Sequence, residues 1–326
     1  KSIDDLITNK KKLDSLKNKS YENFYLTNKF ISKKIDLYRS RLLNDVKPPK
    51  FLINTRSKLK IIHITNFNER HNGRLFYNTG KRINNGLIRL GHSVLEFSDR
   101  DILSNHRKLN DLNGSKYLNS KLLKVIGNYV PDLIVLGHAD LIDIKTLKTI
   151  KTYFPQIKIA QWFLDRMDSK WAINKKRFLN KMDAMDASFC TTDPKFLNLP
   201  KNQSINFMPN PVDDSLETLH NYKYDNLKND VFFAMSHGVH RGKLKRGKFD
   251  ERENFLDKIT EKLPNIKFDL YGIRNKQPIW ADSFINAISQ SKIALNLSQG
   301  KASRYYSSDR FAQLIGNGLL VMIDKK

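Results

Sequence analysis

The chain has 326 residues, of which 40% are hydrophobic, so it can bury the cores of two domains and is not disordered throughout. A single cysteine, Cys190, excludes an internal disulfide framework, and no apolar run approaches the ~18 residues that a membrane-spanning helix needs. The formal net charge of +25 suits anionic partners, but lysine is frequent along the whole chain, so we attribute most of the charge to compositional bias.

The first 46 residues carry apolar side chains at intervals of three and four, from Ile3 to Leu42. This spacing predicts one long helix or a helix pair, with lysine and asparagine on the outer face. The apolar face either mediates self-association or packs against the rest of the chain. Pro48 ends the pattern, so we assign residues 1–50 to a helical extension and linker.

Residues 51–210 contain apolar segments that alternate with helical ones. We predict helices at residues 79–90 and 141–153, and strands at 59–65, 93–97, 132–138, 157–163 and 187–191. Strands that alternate with helices indicate a parallel, doubly wound sheet of the Rossmann type.

A second domain, residues 211–326, shows the same alternation after a proline-containing crossover at residues 205–216. We predict helices at residues 251–263, 281–290 and 307–315, and strands at 230–236, 266–271, 292–298 and 319–323. The fold class is therefore α/β, with two Rossmann-like doubly wound domains and an N-terminal helical extension. We expect the second domain to continue beyond the end of this sequence.

The last predicted helix starts at a loop that follows a buried strand. Ser307, Ser308 and Asp309 are residue types that begin helices, and Gly316-Asn317-Gly318 is typical of a helix end. The loop lies at the carboxyl end of the strand, which is where open α/β sheets bind ligands. Free backbone N–H groups at a helix start suit a phosphate, so we predict an anion site here.

The loop from Ser236 to Lys248 follows the first strand of the second domain and combines three glycines with several cations. Arg241 and Lys243 can neutralise a departing diphosphate without a metal, although a solvated basic loop would have the same composition. His237 and His240 fit no common zinc spacing, so we expect no metal.

Polar residues also follow three strands of the first domain. Asn68, His71 and Arg74 lie in the loop after its first strand, and His71 is a candidate general base because its ordinary pKa is near neutrality. His138 and Asp140 end the third strand. We expect these residues to line one cleft.

Asp165 ends the fourth strand and is our preferred catalytic carboxylate. Two further residues fit structural roles, because Trp162 and His63 lie inside predicted strands. Asp99 and Asp101 form an Asp-x-Asp pattern, which we interpret as a surface turn rather than a metal site.

Residues 59–326 resemble the two-Rossmann-domain (GT-B) glycosyltransferases of group 1 type, near the spore-maturation-protein-like branch. Three features carry the resemblance: the Pro209-Asn-Pro-Val-Asp213 crossover, the basic glycine loop, and the final Ser308-Asp-Arg and Gly-Asn-Gly318-Leu-Leu-Val pattern. Gln313 stands where many members have a ribose-binding glutamate.

The resemblance implies a second domain that binds a nucleotide-sugar and a first domain that binds the acceptor. The donor-binding positions would be Arg241, Lys243, Ser308, Asp309, Arg310 and Gln313. The residues at the strand ends of the first domain, independently of the resemblance, predict Asp165 and His71 as catalytic positions and Asn68, Arg74, His138 and Asp140 as the acceptor cleft. No metal or other cofactor is expected.

We therefore expect a hexosyltransferase-type enzyme that moves a sugar from a nucleotide diphosphate to a glycan, lipid or protein, in the biosynthesis of cell-surface glycans. A nucleotide-sugar epimerase of the same fold and a non-catalytic basic protein that binds nucleic acid or membrane are the alternatives. We expect a cytoplasmic protein, with peripheral contact to an anionic membrane and self-association through the N-terminal helices as further partners, and no nucleic acid.

Overall fold

A computed structural model describes residues 11, 58–69, 72–107, 109, 111–168, 171–198, 204–236, 250–300 and 306–324. The helical extension predicted over residues 1–50 lies outside this part of the chain, apart from Lys11. No helix among the described residues is both long and apolar enough to cross a membrane.

The first sheet consists of six parallel strands in the described residues. They are β1 (Lys60–Thr65), β2 (Ser93–Ser98), β3 (Leu133–Gly137), β4 (Lys158–Phe163), β5 (Ala187–Cys190) and β6 (Ile205–Phe207). Their order is β2-β1-β3-β4-β5-β6. The central strand β1 is buried at every position except its first, because helices cover both faces of the sheet.

Five helices belong to this half of the described structure. They are α1 (Thr79–Arg89), α2 (Asp99–Asn105), α3 (Ser115–Tyr129), α4 (Ile144–Tyr153) and α5 (Ala172–Leu179). Side chains of β1 alternate between two cores: Ile62 packs with α3 and α4, whereas Ile61 packs with α1. The sheet is therefore doubly wound, as predicted.

The second sheet contains four parallel strands in the described residues. They are β7 (Asn229–Ala234), β8 (Phe268–Tyr271), β9 (Ser291–Asn296) and β10 (Leu320–Ile323), in the order β10-β9-β7-β8. Three helices accompany them: α6 (Glu251–Lys262), α7 (Ala281–Ile288) and α8 (Asp309–Gly316). Phe233 packs with α6 on one face, and Phe232 packs with α7 and α8 on the other.

Both sheets reverse their strand order beside their first strand, between β1 and β3 and between β7 and β9. Such switch points leave a crevice at the carboxyl ends of the strands, where α/β proteins bind ligands. The polar residues expected to line a cleft follow these same strands. The topology thus places the candidate site at one edge of each sheet.

Two sequence predictions differ from the structure. The crossover was predicted from residue 205, but Ile205–Phe207 first pairs with β5 as a sixth strand. Asp99 and Asp101 were interpreted as a surface turn, yet they are buried in the first turn of α2. The Asp101 carboxylate accepts hydrogen bonds from the backbone N–H of Glu69 and the hydroxyl of Ser98, which explains its burial.

His63 is a structural histidine, as predicted. Its ring is fully buried, its Nδ1 lies 3.2 Å from Asn84 Oδ1, and its Nε2 accepts a hydrogen bond from Trp162 Nε1 at 3.2 Å. These partners fit a neutral ring with the proton on Nδ1. Burial lowers the pKa of His63 to about 4, opposed by the hydrogen bond to Asn84.

We expect acid to destabilise the fold through His63. Because its pKa is about 4 in the folded chain and ~6.5 in the unfolded chain, the unfolded chain binds more protons between these values. The contribution of neutral His63 to the free energy of unfolding is fully present above pH 6.5. It falls by about 2 kcal/mol between pH 7.5 and 5. Urea unfolding across that range measures how the free energy of unfolding depends on pH. A His63→Gln variant with the same pH dependence as the wild type would contradict the assignment.

Candidate functional site

A cleft of about 260 Å³ lies between the two sheet-bearing halves of the described structure. The first half contributes the loop after β1, including Arg74 and Tyr77, and the second half contributes the end of β7 and the starts of α7 and α8. Its lining residues from the second half include Ser236, Trp280, Asp309, Arg310 and Gln313. The cleft therefore joins the carboxyl edges of both sheets.

The start of α8 lacks a side-chain cap. Ser308 occupies the N-cap position, but its hydroxyl donates to Asn296 Oδ1 at 3.0 Å and makes no side-chain hydrogen bond to the helix. Uncapped N–H groups and the positive end of the helix dipole favour a negative group in this place. A phosphate in the cleft would accept hydrogen bonds from these N–H groups and interact favourably with the helix dipole.

Arg310 fixes the start of α8 to the second sheet. Its guanidinium donates to Asn296 Oδ1 and to the carbonyl oxygens of Ala234 and Leu297, and it lies 5.5 Å from the ring centroid of Phe233. Burial lowers the pKa of Arg310 to about 10, so the group stays charged at neutral pH. It supplies positive charge to the cleft and holds the helix start against the ends of β7 and β9.

Aromatic side chains form one wall of the cleft. The guanidinium carbon of Arg74 lies 5.6 Å from the ring centroid of Trp280, so a cation from the first half faces an aromatic ring of the second. The Tyr77 hydroxyl donates to Asp282 Oδ1 at 2.7 Å, and this hydrogen bond raises the pKa of Tyr77. Gln313 Nε2 donates to the Tyr77 carbonyl at 3.0 Å.

A buried arginine on α1 connects the two halves. Arg82 donates to both carboxylate oxygens of Glu217, with Nη2 lying 2.7 Å from Oε1, and its Nη1 donates to Asp309 Oδ1 at 3.0 Å. Thr79 Oγ1 donates to the same oxygen of Asp309. The first residue of α8 is therefore held by α1, which fixes the helix start relative to the first sheet.

Charged side chains cluster at the ends of β3 and β4. His138 Nδ1 lies 3.7 Å from Asp165 Oδ2, and Arg177 Nη1 lies 3.6 Å from the same oxygen. Arg177 also forms an ion pair with Asp140, which Arg100 approaches at 3.5 Å. Half of the Asp165 side chain surface is exposed, so this carboxylate can meet a substrate.

Tyr306 lies just before α8. Burial is the largest cause that raises the pKa of Tyr306 to about 12. The charges of Asp165 and Asp309 add to the increase, and those of Arg166 and Arg310 oppose it.

The structure brings together most of the predicted site residues that it describes. Arg74, Asp309, Arg310 and Gln313 line the cleft, and His138, Asp140 and Asp165 form a separate cluster at the ends of β3 and β4. Asn68 is buried instead, where its amide donates to the carbonyls of Asn66 and Leu75. The predicted residues His71, Arg241 and Lys243 lie outside the described residues.

Sequence reasoning missed several residues of the site. Arg82, Glu217 and Trp280 had no local signal, because their neighbours in the fold are far away in the sequence. Arg177 lies on α5, a helix that the sequence analysis did not predict, and it contacts Asp140 from 37 residues further along. Only the fold shows these contacts.

Residues 249–326 match a protein family described as glycosyl transferase-like. This segment contains α6 to α8 and the strands between them, and therefore the start of α8. No curated protein sequence matches the chain significantly.

Several solved structures match the chain at low similarity. UDP-GlcNAc 2-epimerase from Neisseria meningitidis bound to UDP-GlcNAc is 14% identical, with 72% of this chain and 77% of that chain covered and a TM-score of 0.38. Another UDP-N-acetylglucosamine 2-epimerase is 12% identical, with 73% of each chain covered and a TM-score of 0.41. The glycotransferase of kitacinnamycin is 11% identical, with 82% and 81% covered and a TM-score of 0.40. Such values assign no activity to this chain.

Proposed function

We propose that this chain is a glycosyltransferase that moves a sugar from a nucleotide diphosphate to an acceptor hydroxyl. The observation that carries the proposal is the uncapped start of α8, which lies in the glycosyl transferase-like segment and opens into a cleft shared with the first sheet. A helix start of this kind binds a diphosphate, and the cleft has space for the attached groups.

The donor would lie along the second half of the cleft. Its base would stack on Trp280, its diphosphate would meet the α8 start and Arg310, and the Gln313 amide would reach the ribose. The loop that contains Arg241 and Lys243 would add positive charge where the leaving group forms. With these cations, the departing diphosphate needs no metal ion.

The acceptor would approach from the first half. Its hydroxyl oxygen forms a bond with the anomeric carbon of the sugar, while the bond from that carbon to the diphosphate breaks and its electron pair leaves with the phosphate oxygen. The hydroxyl proton passes to the Asp165 carboxylate, which acts as general base. The acceptor would be a glycan, a lipid or a protein, and the protein would work in the cytoplasm, peripheral to the inner face of the membrane.

Replacing Trp280 by leucine tests the donor site. Base stacking on an aromatic side chain contributes about 1–3 kcal/mol, so we expect the dissociation constant of the bound nucleotide-sugar to rise by roughly 5- to 150-fold. A panel of nucleoside diphosphates and nucleotide-sugars, with and without divalent metal, is first tested by thermal unfolding. Saturating donor at about a hundred-fold excess should stabilise the wild-type chain by about 2.7 kcal/mol.

Phe255→Leu is the matched control, because this exposed aromatic lies on α6 and does not line the cleft. Equal donor affinity in the Trp280 variant and the wild type would remove Trp280 from the donor site. Conversion of the donor alone to an epimer would assign the cleft to an epimerase. Absence of nucleotide binding, together with salt-sensitive binding to nucleic acid or anionic vesicles, would replace the enzyme by a basic binding protein.

A further inference from the structure

His138 has an unusual backbone and a fixed ring. It follows β3 with a φ of 56°, a left-handed conformation that is uncommon outside glycine, although histidine, asparagine and aspartate adopt it more often than other residues. Its ring stacks on Phe163 with centroids 4.2 Å apart and meets the edge of Trp162 at 5.6 Å. These two aromatic rings hold the imidazole in place.

The hydrogen bonds define which ring nitrogen carries the proton. The backbone N–H of Leu164 donates to His138 Nε2 at 3.1 Å, so Nε2 is an acceptor and the proton of the neutral ring lies on Nδ1. Burial lowers the pKa of His138, opposed by Asp165 and Asp140, which favours this neutral form. The Nδ1–H then faces Asp165 Oδ2 at 3.7 Å.

This arrangement argues against a general-base role for His138 and against the acceptor contact that the sequence predicts. A general base needs a free lone pair, but the Nε2 lone pair of His138 is engaged by Leu164 and its Nδ1 carries hydrogen. An acceptor contact needs a polar atom that reaches the substrate, whereas both ring nitrogens of His138 face protein groups.

We infer that His138 is a positioning residue that, together with Arg177, holds Asp165 Oδ2 and so directs Oδ1 toward the acceptor hydroxyl. This inference rests on the proposed transferase function. Among the described residues, the contacts of Asp165 with His138 and Arg177 both fall on Oδ2, at 3.7 and 3.6 Å, which leaves Oδ1 to take the hydroxyl proton as the new glycosidic bond forms. His138 itself gains and loses no proton in this step.

Two substitutions separate positioning from structural support. His138→Leu removes the donor toward Asp165. His138→Asn keeps an N–H donor close to the place of Nδ1, and asparagine tolerates a positive φ. We expect His138→Leu to lower kcat about tenfold with KM changed less than twofold, and His138→Asn to stay within about threefold of the wild type.

A double-mutant cycle with Asp165→Asn gives the decisive measurement. If His138 acts through Asp165, His138→Leu lowers kcat in the wild-type background but leaves the residual kcat of the Asp165→Asn variant unchanged. Thermal unfolding of each variant in the same buffer verifies that all of them are folded.

Equal losses from His138→Leu in both backgrounds, or equal losses from leucine and asparagine, would overturn the positioning role while the transferase proposal stands. A wild-type chain that binds no nucleotide-sugar and transfers no sugar would overturn the proposed function, and this inference with it. A wild type that transfers sugar with Asp165→Asn fully active would overturn the inference and the base assignment only.

Discussion

Replacing Arg82 by methionine is expected to lower the free energy of unfolding by about 3–5 kcal/mol. The Arg82 side chain is fully buried and the Glu217 side chain is 3% exposed, so the variant leaves a buried carboxylate without its guanidinium. Methionine has a similar volume and tolerates irregular packing, so most of the loss comes from the unpaired charge rather than from a cavity. Urea unfolding at pH 8 measures the change.

At lower pH, the Arg82→Met variant should lose less free energy of unfolding relative to the wild type. Burial already raises the pKa of Glu217, and Arg82 opposes that increase, so removing Arg82 raises the pKa further. The folded variant then binds a proton that the unfolded chain has released, and its stability falls as the pH rises. We therefore expect a smaller difference from the wild type at pH 5.5 than at pH 8.

Two comparisons make the Arg82 result specific. Arg274→Met breaks an ion pair with Asp257 in which both side chains are nearly half exposed, and should cost less than about 1 kcal/mol. A double variant, Arg82→Met with Glu217→Met, removes both charges and should recover much of the stability. An Arg82→Met variant that is no less stable than Arg274→Met would contradict the role of the buried pair.

The sequence predicts this fold well because buried parallel strands leave a strong local pattern. Runs such as residues 60–65 contain apolar residues on both faces, and the prediction of 59–65 differs from the observed strand by one residue. By contrast, β6 contains only three residues and its side chains are mostly exposed, so its apolar signal is too weak to distinguish it from the crossover. Its pairing depends on β5, which is a property of the whole sheet.

The candidate site is only partly predictable, for a different reason. Residues at the carboxyl ends of strands can be found from the strand pattern alone, and Asp165, His138 and Asp309 were found in this way. The contact between Arg82 and Glu217 joins residues that are 135 positions apart, and neither residue type nor spacing indicates the pairing. Arg82 occurs on an amphipathic helix, where a surface position would be the ordinary expectation.

The tautomer of His138 could not be predicted from the sequence either. It depends on the backbone N–H of Leu164, which follows the next strand of the sheet. From the sequence, this histidine was an acceptor contact. The structure gives its two nitrogens different partners, and that difference is the basis on which we infer that it orients a carboxylate. Chemical roles of this kind follow from hydrogen bonds across strands, which a linear pattern does not contain.

Asp165→Asn is expected to lower kcat by about 10²–10⁴-fold, because the amide keeps the shape of the side chain but cannot accept the proton of the acceptor hydroxyl. Donor affinity should stay within about twofold of the wild type, since Asp165 belongs to the first half and does not line the donor part of the cleft. Steady-state kinetics with saturating donor, together with nucleotide binding by calorimetry, separate the two effects.

Asp168→Asn is the matched control for this prediction. Asp168 carries the same charge three residues further along the same segment, but it pairs with Arg166 at 2.5 Å rather than with His138. A general loss of negative charge near the cleft would therefore affect both variants, whereas loss of the base affects only Asp165. If Asp165→Asn retained more than about a tenth of kcat, or if both variants lost activity equally, the carboxylate would serve the electrostatics of the cleft and the proton would leave by another route.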